Sequence, residues 1–347
     1  MSIRARHGLC RLLVAGAAFI HQVCWAQADA SVLEAIRARG HVTCGVGTGP
    51  KGYSSVDAQG NWSGISADFC RALAVTVLGN KSAVKFEPFA GDDALSALRS
   101  GSIDVLSRNF GMTSHLDTSQ GVRFAGILVY EGQGFMVRRS QNITSALELS
   151  GARICAVADF SAPQAIADYF GGLKMPFDPV KLDRWPDAVV AYTGGKGCQV
   201  LTGELSALAL ARQGLADADD HVILPEVAAK RLIGPVVKQG DADWFSTVRW
   251  TLYALIAAEE LGLTAGNVEA ARTAGSPEAR RFLGSGDRSL GKLFDLDADW
   301  TLRLVRQIGN YGELFERNLG QKSALKLDRR LNNLAGKGGL HYAPPFE

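Results

Sequence analysis

The sequence predicts an α/β protein of two lobes joined by two crossovers, and three observations carry that prediction. Short apolar blocks alternate with segments of helical periodicity, the pattern of strands layered with helices. The chain has 347 residues, more than one core usually serves. Two apolar segments, 134–138 and 233–237, stand where the chain would pass between lobes and return. The first lobe would then be discontinuous, spanning 29–137 and 234–347 with the C-terminal helices, and the second would span 138–233. Such an arrangement suits a clamp with a cleft between its jaws and the crossovers as hinges.

The elements follow in order. Residues 32–38 (VLEAIRA) form a short amphipathic helix, and 41–46 a strand. Residues 65–78 place Phe69, Leu73 and Val77 on one helical face, before a strand at 84–89. A helix over 92–100 stops at Gly101, and 103–106 is a buried strand. In the second lobe, strands at 152–157, 182–185 and 199–201 alternate with helices at 164–170, 186–193 and 206–213, and 222–224 precedes the return. A long helix over 243–261 carries Trp244, Val248, Leu252 and Leu255 at helical spacing, and the last 80 or so residues add more helical pattern.

Residues 1–28 read as a secretory leader: Arg4, Arg6 and Arg11, the apolar run 12–20, then Ala26-Gln27-Ala28 as a cleavage site. That run is too short to span a bilayer. Removing three arginines and no acid takes the formal charge from +2 to −1, which leaves no electrostatic footprint for nucleic acid. Of the six cysteines, Cys44, Cys70, Cys155 and Cys198 remain. Four cysteines in an oxidising compartment allow three connectivities. Cys44–Cys70 with Cys155–Cys198 keeps each bridge inside one lobe; four buried thiols are the alternative.

Two motifs mislead. Gly47-Thr-Gly-Pro-Lys-Gly52 matches the dinucleotide-binding glycine pattern, but turn-forming residues follow where a helix should open, so it reads as a turn lining a cleft. Residues 286–292 (GDRSLGK) resemble a P-loop, but Leu293 replaces the magnesium-binding hydroxyl. The histidines lack metal spacing. No cofactor and no metal are expected.

Several segments together resemble one family: 33–40 (LEAIRARG), 104–109 (DVLSRN), 124–126 (FAG), 132–138 (GQGFMVR), 145–149 (SALEL), 250–255 (WTLYAL), 309–313 (GNYGE) and 342–345 (YAPP). They resemble the periplasmic solute-binding proteins of polar and general L-amino acid ABC importers, over nearly the whole mature chain. The four mature cysteines sit where that subgroup has them. The resemblance implies a two-lobed, type II periplasmic binding protein-like fold. It also implies a monomer that takes a small ligand (an amino acid, amine or related polar solute) and docks on an inner-membrane permease.

In that family an arginine forks onto the ligand's α-carboxylate and a carboxylate of the other lobe pairs with its ammonium. Carried over by position, the arginine falls on Leu116, and the hydroxyl five positions earlier on Gly111, preceded by Phe110. The second-lobe turn becomes Asp159, Phe160 and Ser161, the ammonium-binding carboxylate becomes Glu204, and Tyr53 is the nearest aromatic wall. Arg108, Asn109 and His115 complete the candidate set; Arg108 or His115 would substitute for the arginine, or Arg108 serves as a structural ion-pair partner. Losing a bidentate arginine weakens an α-carboxylate by roughly two to four decades. The expectation is therefore an altered ligand, either a cation or amine with an apolar body set against Phe110, Leu116 and Phe160, weak binding by a drifted paralogue, or ordinary amino-acid binding through a relocated donor. A ligand sensor for a membrane receptor, and a secreted dehydratase using Glu204 as general acid, are the alternative functions.

Overall fold

Ser31 opens the first helix. Its side chain accepts from the Glu34 N–H and Glu34 reaches back, a reciprocal cap that starts α1 (Val32–Arg39). Gly40, at φ 77°, ends it. The computed structural model describes residues 31–49, 51–91, 93–157, 162–195, 197–285 and 290–346. All six residues of β1 (Val42–Gly47) are buried, as expected of a strand covered on both faces. A small hairpin, β2 (Ser55–Val56) and β3 (Trp62–Ser63), leads into α2 (Ile65–Leu78), which buries Phe69, Cys70 and Leu73. Then come β4 (Val84–Phe89), α3 (Asp93–Ser100), β5 (Val105–Leu106), α4 (Ser114–Ser119) and β6 (Val122–Phe124).

The second sheet is built from β7 (Val129–Arg138), β8 (Arg153–Val157), α5 (Ala162–Gly172), β9 (Asp178–Leu182), α6 (Trp185–Thr193), β10 (Val200–Glu204), α7 (Leu205–Gln213), β11 (His221–Ile223) and β12 (Ala229–Ile233). The chain then returns through β13 (Val236–Lys238) to the first sheet, whose order is β4-β1-β5-β13-β6. The second sheet runs β11-β7-β10-β8-β9, with β12 also paired to β7.

Three elements differ from the sequence expectation. β7 belongs to the second sheet along its whole length, pairing with β10, β11 and β12. The first passage between sheets therefore lies at 125–128, one strand earlier than 137. Glu131 and Gln133 interrupt the apolar pattern of β7 and hide its first half. The segment read as one strand over 233–237 is two, because Gly234 and Pro235 separate β12 from β13. The strand expected at 182–185 is β9, ending at Leu182, because Pro186 sits in the first turn of α6 and the helix starts at Trp185.

The two passages lie against each other. The Ala125 N–H donates to Pro235 O at 2.9 Å, and the Leu128 N–H to Ile233 O at 2.7 Å. A Cβ at Gly234 would stand 1.8 Å from Gly126 O, so only glycine permits this approach. The largest core gathers α2 with α8 (Ala242–Glu260), in which Trp244, Val248, Leu252 and Leu255 are all buried. After α9 (Val268–Ala274) and α10 (Pro277–Phe282), α11 (Trp300–Ile308) and α12 (Tyr311–Asn318) complete it. Past α12, Arg329 forks onto Glu259 at 2.5 and 2.9 Å, and Arg330 donates to Leu224 O and Ile223 O at the edge of the second sheet. Cys44 is joined to Cys70 and Cys155 to Cys198. Among the described residues no helix is long and apolar enough to cross a membrane. The leader expected over 1–28 lies outside the described residues.

Candidate functional site

Between the lobes is a cleft of about 780 Å³. The first lobe contributes Gly47, Thr48 and Gly49 from the end of β1, and the loop from Arg108 to Thr113 that follows β5. The second contributes Trp185 at the start of α6 and Gly203 and Glu204 at the end of β10. Gln133 of β7 and Ala229, Lys230 and Arg231 of β12 form the floor. These loops follow the carboxyl ends of β1, β5 and β10, where open α/β sheets place their ligand crevices.

The polar centre is a triad. Arg231 Nη1 lies 2.7 Å from Glu204 Oε1. Asn109 of the first lobe donates its side-chain amide to Glu204 Oε2 at 3.1 Å, and its backbone carbonyl accepts from Arg231 Nη2 at 3.4 Å. The three residues thus link the lobes across the cleft. Arg231 Nε and Asn109 Oδ1 are enclosed without a hydrogen-bond partner among the described residues. Gly111 lies beside this arginine: a Cβ there would stand in ordinary van der Waals contact with Arg231 Cγ, at 3.4 Å. The same loop is stitched to β12, with the Met112 N–H donating to Leu232 O at 2.7 Å.

The walls are apolar and aromatic. Phe110 stacks on Phe124 with centroids 6.2 Å apart. The Trp185 ring lies over Gly203, where a Cβ would come within 2.5 Å of it. Gln133 donates to Thr202, whose hydroxyl donates to Gly134 O. Arg108 Nη1 donates to the carbonyls of Phe89 and Gly91 at 3.4 and 3.0 Å, bracing the loop after β4. Among the described lining residues there are three cations, Arg108, Lys230 and Arg231, against one carboxylate, Glu204.

Behind the cleft lies a sealed network. Tyr53, fully buried, donates its hydroxyl to Glu131 Oε2 at 2.8 Å, and the Ser206 N–H at the start of α7 donates to Glu131 Oε1 at 2.9 Å. Burial raises the Glu131 carboxyl to about 7 despite these two donors, and burial with the adjacent Glu131 pushes the Tyr53 phenol well up.

The residues singled out from sequence separate into three groups. Asn109, Phe110, Gly111, Arg108, Tyr53 and Glu204 line the cleft together. Leu116 and His115 sit on α4 and are not among its lining residues. Leu116 is half-buried against the cluster of Leu95, Leu98 and Phe124, and exposed His115 bonds to Ser119 and Gln120. Asp159, Phe160 and Ser161 lie outside the described residues. Arg231, Lys230 and Trp185 were missed. The only signal for the two cations was a charged dipeptide inside an otherwise apolar crossover strand.

Another depression, of about 580 Å³, is lined by Arg71 and Arg317, but both are committed to Asp68, at 2.9 and 2.7 Å. Among the described residues no His, Cys, Asp and Glu cluster could hold a metal.

Comparison with known proteins places this geometry. The profile of the bacterial extracellular solute-binding proteins, family 3, matches residues 42–264. The general L-amino acid-binding periplasmic protein AapJ of Rhizobium johnstonii is 45% identical over 92% of this chain and 93% of its own. The glutamate/glutamine/aspartate/asparagine-binding protein BztA of Rhodobacter capsulatus is 41% identical over 92% of this chain and 94% of its own. A periplasmic binding protein from Brucella ovis, solved with glutathione bound, superposes with a TM-score of 0.77 at 44% identity, over 92% of this chain and 100% of its own. Two sheets joined by paired passages, a cleft at the strand ends and these likenesses lead to one conclusion: the chain belongs to the family 3 bacterial extracellular solute-binding proteins, the periplasmic amino-acid-binding proteins of ABC transporters.

Proposed function

We propose that this chain, as the solute-binding component of an amino acid-type ABC importer, captures a small polar solute between its lobes by hinge closure, with a specificity shifted from that of its general amino acid-binding relatives. It would do so in the periplasm, after cleavage of the leader near Ala28, as a monomer delivering solute to an inner-membrane permease.

The observation that carries the reading is the triad of Glu204, Arg231 and Asn109. Each lobe contributes to it, so a solute entering the cleft meets both jaws at once and rewards their closure. Meanwhile Leu116, at the position where the resemblance puts the carboxylate-binding arginine, packs into the first lobe's apolar cluster. The usual anion grip is absent from that position.

A cationic or amine ligand is disfavoured by the same triad. Glu204, the anchor such a ligand would need, already has Arg231 at 2.7 Å. A second cation would have to displace the first and would meet Lys230 as well. Among the relatives, one is named for general L-amino acids, one for glutamate, glutamine, aspartate and asparagine, and one was solved with glutathione. Relatives named as binding proteins favour capture over turnover.

Calorimetric titration of the mature chain with the common L-amino acids tests the specificity shift. The expected outcome is weak or no binding of most of them. Sub-micromolar binding of several neutral amino acids would overturn it.

A further inference from the structure

We infer that a depression beside the first passage between the sheets is a second ligand site, one that takes a small molecule with a ring-sized apolar body and a single negative charge. The inference goes beyond the solute-capture reading, and its failure would leave that reading standing.

Three parts of the chain build it. Gly126 and Ile127 come from the first passage, and Leu340, His341 and Tyr342 from the tail. α8 contributes Arg249, Leu252, Tyr253 and Ile256, spaced i, i+3, i+4 and i+7, so they share one helical face. Phe124 and Tyr130 add aromatic wall, and the volume is about 270 Å³. Among the described residues only Met112 lines both this depression and the inter-lobe cleft. The walls are held from behind. The Ala335 N–H donates to His341 O at 2.8 Å, and the His341 N–H to Asn333 O at 3.1 Å. Asn332 clasps Tyr130, accepting from its N–H at 2.7 Å and donating to its carbonyl at 2.9 Å.

Two polar atoms of the lining residues point to an occupant. His341 is 2% exposed, its ring packs on those of Tyr130 and Tyr311, and its Nε2 is enclosed without a hydrogen-bond partner among the described residues. Arg249 Nε is enclosed and unpartnered in the same way, while its guanidinium carbon lies 4.2 Å from the centre of the Phe245 ring. Buried polar atoms in folded proteins are paired, so two unpaired ones in one lining call for an explanation.

Charge and shape set the ligand class. Arg249 is the one cation in the lining among the described residues, and no carboxylate lines the depression there. Burial, with Arg329 nearby, lowers His341 to about 3, so its ring is neutral and offers one N–H. A single carboxylate accepts from guanidinium and imidazole donors and balances the one charge. The aromatic and aliphatic walls favour an apolar body. The volume equals that of about nine waters, enough for a single-ring acid of the size of benzoate.

The test uses the full mature chain and three probes: benzoate, its neutral isostere benzamide, and the cation benzylamine. Calorimetry should show benzoate binding about 10-fold more tightly than benzamide, and benzylamine not binding. Arg249→Met should bring benzoate down to the benzamide level and leave benzamide itself unchanged, a pattern that loss of structure cannot produce. Hydrogen exchange on the unsubstituted protein locates the occupant without any variant. Benzoate should slow exchange over 125–128 and 340–342 and leave 109–111 and 203–204 of the cleft as they were. No binding of benzoate, equal affinity for benzoate and benzamide, benzoate binding unchanged by Arg249→Met, or protection confined to the cleft would each overturn the inference.

Discussion

Two carboxylates on neighbouring antiparallel strands of the second sheet, Glu131 of β7 and Glu204 of β10, are used in opposite ways. Glu131 is sealed, 5% exposed, with both oxygens engaged by Tyr53 and Ser206. Glu204 keeps about a quarter of its side chain exposed and pairs with an arginine whose own donors are not all used. The first network joins Tyr53 of the first lobe to the start of α7 in the second and has no room for a newcomer. The second is open and incompletely bonded. Stability should therefore concentrate in the Glu131 network, and ligand response in the Glu204 triad.

The comparison can be broken at either end. Glu131→Ala strands the Tyr53 hydroxyl and the Ser206 N–H inside the protein, and each buried unsatisfied group costs about 1–3 kcal/mol. Chemical denaturation should register a loss of about 3–4 kcal/mol in total. A loss below about 1 kcal/mol would mean that the network is not structural.

Acidity is the next lever. The Glu131 carboxyl is raised from 4.5 to about 7 in the folded chain, so the folded state holds its proton more tightly than the unfolded one. Its contribution is fully present below pH 4.5 and is lost as pH rises toward and through 7, about 3 kcal/mol across that window. Unfolding free energy should therefore fall between about pH 5 and pH 8, and Glu131→Gln should flatten that part of the profile. An unchanged slope in the variant would assign the pH dependence elsewhere.

Tyr53→Phe removes one donor and leaves the carboxylate its second, so a smaller loss, about 1.5 kcal/mol, is expected by the same denaturation measurement. Glu204→Ala should cost least, under about 1 kcal/mol, because a partly exposed ion pair contributes little to folding. If Glu204→Ala proved as damaging as Glu131→Ala, the division between a structural and a ligand-facing carboxylate would collapse.

Much of this architecture is legible in the sequence where periodicity is strong. The buried run of β1, the helical faces of α2 and α8, and the capped start of α1 follow from residue patterns that packing does not contradict. Legibility fails where the chain serves the cleft. Glu131 and Gln133 make the first half of β7 look unlike a strand because they answer to Tyr53 and to the cleft. Gly234 and Pro235 divide one apolar run between two sheets, which depends on Gly126 lying opposite, 108 positions away. Asn109 and Glu204 were candidates by position, and they meet at 3.1 Å in the cleft. Arg231 was not, because its place in the cleft comes from Glu204 and Asn109 in space and not from any local motif. The resemblance drew attention to Leu116, whereas the presence of Arg231 in the cleft needed the fold.

A crystal structure of the protein with a bound solute tests the account most directly. The expected result is the solute between the two lobes, touching Asn109 of the first and Glu204 or Arg231 of the second. A solute held outside the cleft, or against one lobe alone, would contradict the account.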